Sequence, residues 1–134
     1  MESNIYLHHL VVTKDDLDEM NHVNNLQYLR WCLKAAVAHS ADVGWPSKRY
    51  FELGHGFIVR EHKIKYKAPA LLDDEITIQT WIDSLRAFSS VRKYRVLRNN
   101  KKLVEAETNW VFVNLESLEL TRIPDEIKAA FRKS

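Results

Sequence analysis

Between Asp15 and Tyr28 the chain reads Asp-Asp-Leu-Asp-Glu-Met-Asn-His-Val-Asn-Asn-Leu-Gln-Tyr, which gathers carboxylates, a histidine, asparagines and a tyrosine at the entry of an apolar periodic segment. Helix entrances favour Asp and Asn as caps, so each residue taken singly has a structural explanation. The cluster as a whole has a chemical one. Unpaired N–H groups at a helix start bind a carbonyl oxygen as it gains negative charge, and the positive end of the helix dipole reinforces that binding. A carboxylate on the preceding loop can attack the carbonyl carbon or activate a water. Together these groups make an acyl-transfer site that needs neither a metal nor a serine triad.

Such a site needs elements to hold it. Ile5 to Thr13 is rich in β-branched and aromatic residues and reads as a strand. From Asn25 to Val43, Leu26, Leu29, Leu33, Ala36, Val37 and Ala41 recur at helical spacing, with Asn24 as cap, Gln27 in the place of a capping-box partner, and Gly44 and Pro46 as the stop. Small residues dominate from Ala35 to Ala41, so a sheet can approach this helix closely. A shorter helical turn is expected after Pro46. From Gly56 the period changes to two, which predicts strands over Phe57 to Tyr66, Glu75 to Ser84, Ser89 to Arg98 and Leu103 to Val113. Arg98 to Lys101 supplies a tight polar turn between the last two strands. Pro124 opens a short terminal helix that docks through Ile127, Ala130 and Phe131. One long helix beside about five antiparallel strands is an α+β two-layer domain, and both the hotdog fold and the helix-grip fold have this order.

The residues Asp16-Leu17-Asp18, His22-Val23-Asn24-Asn25 and Tyr28-Leu29-Arg30-Trp31 resemble the hotdog-fold acyl thioesterases, the family of 4-hydroxybenzoyl-CoA thioesterases and acyl-ACP thioesterases. The likeness continues through Arg60 to Pro69, Asp74-Glu75 and Arg122-Ile123-Pro124, nearly the whole chain. It implies a single hotdog domain over residues 1–134, a long central helix wrapped by a five- to six-stranded antiparallel sheet, with sites at a homodimer or homotetramer interface. Carried over residue by residue, it makes Asp18 the catalytic carboxylate, either as nucleophile or as base for the attacking water. Asn25 takes the position whose backbone N–H polarises the thioester carbonyl, and His22 that of a histidine that orients or assists. Asn24 and Tyr28 fall beside them as substrate contacts. Met20 stands where the acyl-ACP branch has Asn, and Leu33 and Lys34 stand where many CoA-type relatives carry Glu, which argues against a glutamate-assisted mechanism on this helix. The substrate implied is an acyl-CoA or acyl carrier protein thioester, fatty or aromatic, whose coenzyme A or phosphopantetheine is part of the substrate; no separate cofactor and no metal is expected. A non-catalytic acyl or lipid carrier and a hotdog hydratase or dehydratase are the competing readings.

Coenzyme A phosphates, or an acidic carrier domain, call for cations at a pocket mouth. Lys65, Lys67 and Arg95 are the candidates, with Lys63, Arg92, Lys93 and Arg98 as further basic residues on the same strands. Trp45, Tyr50 and Phe57 are placed to shape an acyl pocket. His8 and His9 adjoin on a strand and face opposite ways, so they cannot chelate one ion. Cys32 reads as a buried small apolar residue.

Composition excludes several classes. With 46% hydrophobic and 28% charged residues and only three glycines and three prolines, the chain is one folded domain and not a disordered or repeat protein. Twenty Lys plus Arg against eighteen Asp plus Glu gives +2, without a basic block for nucleic acid. There is no GxSxG, HExxH, GxGxxG or P-loop. The absence of a basic-then-apolar leader or a long apolar run predicts a cytoplasmic protein without membrane contact.

Overall fold

In the computed structural model, which describes residues 4–133, the period-two stretches pair into one antiparallel sheet and the helical stretch lies across it. In chain order the elements are β1 (Tyr6–Val11), α1 (Asn25–Asp42), α2 (Ser47–Leu53), β2 (His55–Tyr66), β3 (Glu75–Leu85), β4 (Ser89–Arg98), β5 (Lys101–Asn114) and α3 (Asp125–Lys133). The strand order is β1-β3-β4-β5-β2, so β1 and β2 are the edges. Register breaks between Val59 and Glu61, between Ile82 and Ser84, and between Val96 and Leu97 bend three strands, as bulges do, and curve the sheet around α1.

The turn between β4 and β5 is made by Asn99 and Asn100, both left-handed with φ of 49° and 66°. Two successive left-handed residues are what a two-residue hairpin requires, and Asn tolerates that conformation better than other L residues except Asp. Gly54, at φ 79°, ends α2 in the same region, where a glycine carries no Cβ penalty.

The core has two parts. In the first, Tyr28, Trp31, Cys32, Ala35 and Ala36 of α1 pack on Ile76, Ile78, Tyr94, Val96, Val104 and Ala106 of the sheet. Ala35 is fully buried, and its single methyl sets how near the helix axis lies to the strands. Burial pushes the Cys32 thiol up to about 12, so it stays protonated and serves as packing. In the second part, Trp45 and Phe112 meet Ile123, Ile127 and Phe131, which dock α3 over the far end of α1.

Between the two parts lie His39 and Arg92, 1% and 4% exposed, with Arg92 Nη1 donating to His39 Nδ1 at 3.0 Å. Burial first, and the Arg92 charge second, lower the His39 pKa from 6.5 to about 4. The imidazole is therefore neutral in the folded state at neutral pH, as an acceptor from a guanidinium must be. Because the folded pKa lies below the unfolded one, the unfolded chain binds the extra proton between about pH 6.5 and 4. Stability from His39 is complete above that window and is lost as pH falls through it. Urea unfolding is expected to show a loss on the order of 2–3 kcal/mol across this window, with a shallower slope in His39→Gln, which keeps an acceptor but gains no proton. Identical slopes in the two proteins would show that His39 is not the titrating group.

Candidate active site

The polar run before α1 folds into two nested turns that send its two flanking carboxylates to opposite sides. Thr13 opens a single 3-10 turn over Lys14–Asp16, and its N–H and hydroxyl both donate to Asp16 Oδ2, at 2.8 and 3.2 Å. Asp16 Oδ1 accepts from Gln27 Nε2 at 2.5 Å, and the Asp16 carbonyl accepts the Asn24 N–H at 2.9 Å. Asp16 is thus a buried tie between the loop and the helix. Gln27 makes this bond with its amide nitrogen and takes Arg30 on its oxygen, so it does not act as capping-box partner of Asn24; the capping box lies one turn earlier, at Thr13 and Asp16.

Two residues on, Asp18 faces outward. A bridge between Leu17 and Val23 closes the loop, and the Asp18 N–H donates to the His22 carbonyl at 2.7 Å. Oδ1 of Asp18 accepts the N–H groups of Met20 at 2.9 Å and His22 at 3.2 Å, while Asn21 takes the left-handed φ of 60° that the turn needs. Both bonds fall on one oxygen, and Oδ2 makes no bond to a donor among the described residues. The carboxylate is exposed and held in place by its own loop.

At the helix start, Asn24 Oδ1 accepts the Leu26 N–H at 2.9 Å. As the first helical residue, Asn25 has an N–H with no carbonyl of its own helix to meet. The Asn25 carbonyl accepts the Tyr66 hydroxyl at 2.9 Å, and the Tyr28 hydroxyl accepts the Ala70 N–H at 2.8 Å, so the end of β2 and the loop beyond it clamp this turn. The Tyr28 ring is buried between Trp31 and Tyr66, and burial raises its pKa.

Asp18, His22, Asn24 and Asn25 are therefore brought together on one exposed turn, with His22 tied to Asp18 through its backbone. Tyr28 lies beneath them in the core. Lys65, Lys67 and Arg95 gather elsewhere, about Glu105: the register sets Lys65 opposite Glu105 and Glu105 opposite Arg95, on the sheet face turned away from α1. Lys67 and Lys102 lie 3.2 and 2.8 Å from Glu105, and hold its carboxyl down to about 2. The Arg95 guanidinium stacks over Trp81 at 4.4 Å. Tyr66, flanked by Lys65 and Lys67, links this basic strand end to the Asn25 carbonyl.

A second feature lies along the later half of α1. Trp45, Tyr50 and Phe57 line one cavity of about 210 Å³ together with Ser40, Ile82 and Arg92. Ala36 and Ser40, on its α1 wall, follow Asn25 by eleven and fifteen residues, roughly 17–22 Å along the axis at 1.5 Å per residue. Of the residues that make these features, Tyr66 carried no distinctive sequence signal, being an aromatic in a strand, and Asp16 stood in the Asp16-Leu17-Asp18 motif with nothing to mark it as the buried carboxylate of the two.

The model of the thioesterase-like superfamily matches residues 12–131. The chain belongs to that superfamily. It is 38% identical over 78 residues to the acyl-CoA thioester hydrolase YbgC of Escherichia coli, a match that spans 58% of this chain and 58% of that protein. It is 25% identical over 118 residues to the acyl-CoA thioesterase YbgC of Haemophilus influenzae, covering 87% of each. The 1,4-dihydroxy-2-naphthoyl-CoA thioesterase Slr0204 of Synechocystis superposes with a TM-score of 0.89 at 18% identity over 96% of both chains, which shows a shared fold. The helix-and-sheet arrangement is the superfamily's hotdog fold, and the helix-grip alternative is set aside. No helix among the described residues is long and apolar enough to cross a membrane.

The two carboxylates are expected to separate in mutagenesis. Asp16→Ala leaves the Thr13 and Gln27 donors without their buried acceptor and should cost about 2–3 kcal/mol in urea unfolding. Asp18→Asn keeps an oxygen for Met20 and His22 and should cost under about 1 kcal/mol. The reverse order would mean that Asp18, not Asp16, is the structural tie.

Proposed function

We propose that this chain is a thioester hydrolase that cleaves a fatty or aromatic acyl-CoA or acyl-ACP to the free acid and the thiol. The observation that carries this reading is the exposed Asp18 carboxylate, fixed by its own loop beside the open N-terminus of α1. The thioester oxygen docks on the Asn25 N–H, where the helix dipole stabilises the negative charge that develops on it. Asp18 then adds to the carbonyl carbon as a nucleophile or takes a proton from the water that does. The C–S bond breaks and the sulfur leaves as thiolate. In the general-base route the water's oxygen ends in the free acid and its proton passes by way of Asp18 to the thiolate. In the nucleophilic route an acyl–Asp18 anhydride is left, which a water then hydrolyses to the free acid, restoring the carboxylate and supplying the proton for the thiol. His22 and Asn24 order the surroundings of the reacting centre. Tyr28 supports the site from below by holding the loop at Ala70. Lys65, Lys67 and Arg95 supply the positive charge that phosphates of coenzyme A or an acidic carrier domain require. No cofactor is needed beyond the carrier group of the substrate itself, and the protein is assigned to the cytoplasm.

The cavity and the helix start of one protomer are too far apart to share a short acyl group, which supports a homodimer or homotetramer. A two-fold axis perpendicular to α1 would run two copies of the helix antiparallel and bring the start of one beside the later half of the other. Leu26 and Val37 of α1, Phe51 of α2 and Val59 of the β2 edge are exposed apolar residues suited to that contact.

Thiol release from short, long and aromatic acyl-CoA esters tests the reading. Wild type should turn over, and Asp18→Asn should lower kcat on the order of 10²- to 10⁴-fold with the fold intact. Unchanged turnover would remove Asp18 from the mechanism. If no CoA ester reacts, acyl-ACP is the substrate to assay. Light scattering should give two or four times the 15.8 kDa of one chain, and a monomer would count against the shared site.

A further inference from the structure

The cavity beside the later half of α1 contains a cation that the hydrolysis of a plain acyl chain does not use. Trp45, Phe57, Ile82 and Trp110 make its walls apolar, and Arg92 is the one charged residue that lines it. Arg92 is 4% exposed, on the sheet face toward α1. Its Nη1 donates to His39 Nδ1 at 3.0 Å and to Thr80 Oγ1 at 3.1 Å, both neutral acceptors. No Asp or Glu among the described residues pairs with it, and its remaining ring contact is with the face of Phe131 at 5.7 Å. Nε and Nη2, the edge that a carboxylate grips with two parallel hydrogen bonds, make no bond to an acceptor among the described residues. Burial lowers the Arg92 pKa to about 10, so the guanidinium is still charged at neutral pH. A buried cation with no anionic partner is costly to maintain, and an anion from outside would offset that cost. The other polar groups that line the cavity are neutral, among them the hydroxyls of Ser47, Ser90 and Tyr50, the last 3.2 Å from Ser40 Oγ.

An apolar sleeve with a two-donor cation at its wall matches a ligand with an apolar stem and a carboxylate at its end. We infer that the cavity holds the acyl group and that Arg92 binds a carboxylate at its distal end, so that the preferred substrates are thioesters of dicarboxylic acids. This rests on the hydrolase reading and narrows it. The bond changes are the same: water cleaves the one thioester, and the products are the diacid and the thiol.

Two chain-matched pairs test it, adipyl-CoA against hexanoyl-CoA in turnover and adipate against hexanoate in quenching of tryptophan fluorescence, since Trp45 and Trp110 line the cavity. Wild type should favour the carboxylate member of each pair by roughly tenfold to a hundredfold, the range of a charged hydrogen-bonded contact. Arg92→Met should collapse both ratios toward one, and Arg92→Lys, which keeps the charge without the fork, should restore part of them. Should the Met variant fail to fold, the wild-type ratios and the Lys variant decide. Wild type that cleaves hexanoyl-CoA as well as adipyl-CoA would overturn the carboxylate site and leave the hydrolase standing. Arg92-dependent adipate binding with no thiol release from either acyl group, whether carried on coenzyme A or on acyl carrier protein, would support the site and overturn the hydrolase. Neither binding preference nor release would overturn both.

Discussion

The arrangement at the start of α1 depends on one buried carboxylate. Asp16 spends Oδ2 on Thr13, Oδ1 on Gln27 and its carbonyl on Asn24, and so binds the end of the loop from β1 to the first turn of the helix. With that point fixed, the period of two along the extended segment turns Leu17 inward and Asp18 outward. The Leu17–Val23 bridge and the two N–H bonds on Asp18 Oδ1 then leave little freedom to the exposed carboxylate. A carboxylate exposed at a surface is normally mobile; here its loop is ordered by a buried neighbour, Asp16. In the proposed mechanism, preorganisation of this kind would let the carboxylate and the backbone N–H act without a separate cost for their alignment.

Much of this was legible in the sequence because it follows from local patterns. The apolar spacing from Leu26 to Ala41, the small residues about Ala35, the change to period two after Gly56 and the Asn99-Asn100 turn each translate directly into an element. The cluster Asp18, His22, Asn24 and Asn25 was legible for the same reason: a helix start is a local object, and its residues are neighbours in the chain. What was not legible is long-range. That Gln27 bonds Asp16 instead of capping its own helix, that Tyr66 reaches the Asn25 carbonyl, and that the Lys65–Glu105–Arg95 row lies on the sheet face away from α1 follow from the fold and register, which no single segment encodes.

The His39–Arg92 pair shows the same limit more sharply. In the sequence these are a histidine among alanines and an arginine in an alternating strand, both ordinary. Folding sets them against each other in the interior, where desolvation lowers both pKa values and the neutral imidazole becomes the acceptor that the guanidinium requires. Neither residue has a meaning without the other, and fifty-three positions separate them.

The two parts of the core are populated by different residues. The first joins α1 to the middle of the sheet and underlies the helix start; the second, built on Trp45, Phe112 and α3, borders the cavity. Free-energy changes at sites without shared partners are close to additive. Substitutions at residues of the second part, such as Trp45 and Phe57, can therefore accumulate without disturbing the turn that holds Asp18, whereas Ala36, which lines the cavity from the first part, is tied to it. A lineage built on this plan is free to drift at the cavity while the corner that holds Asp18 is inherited intact.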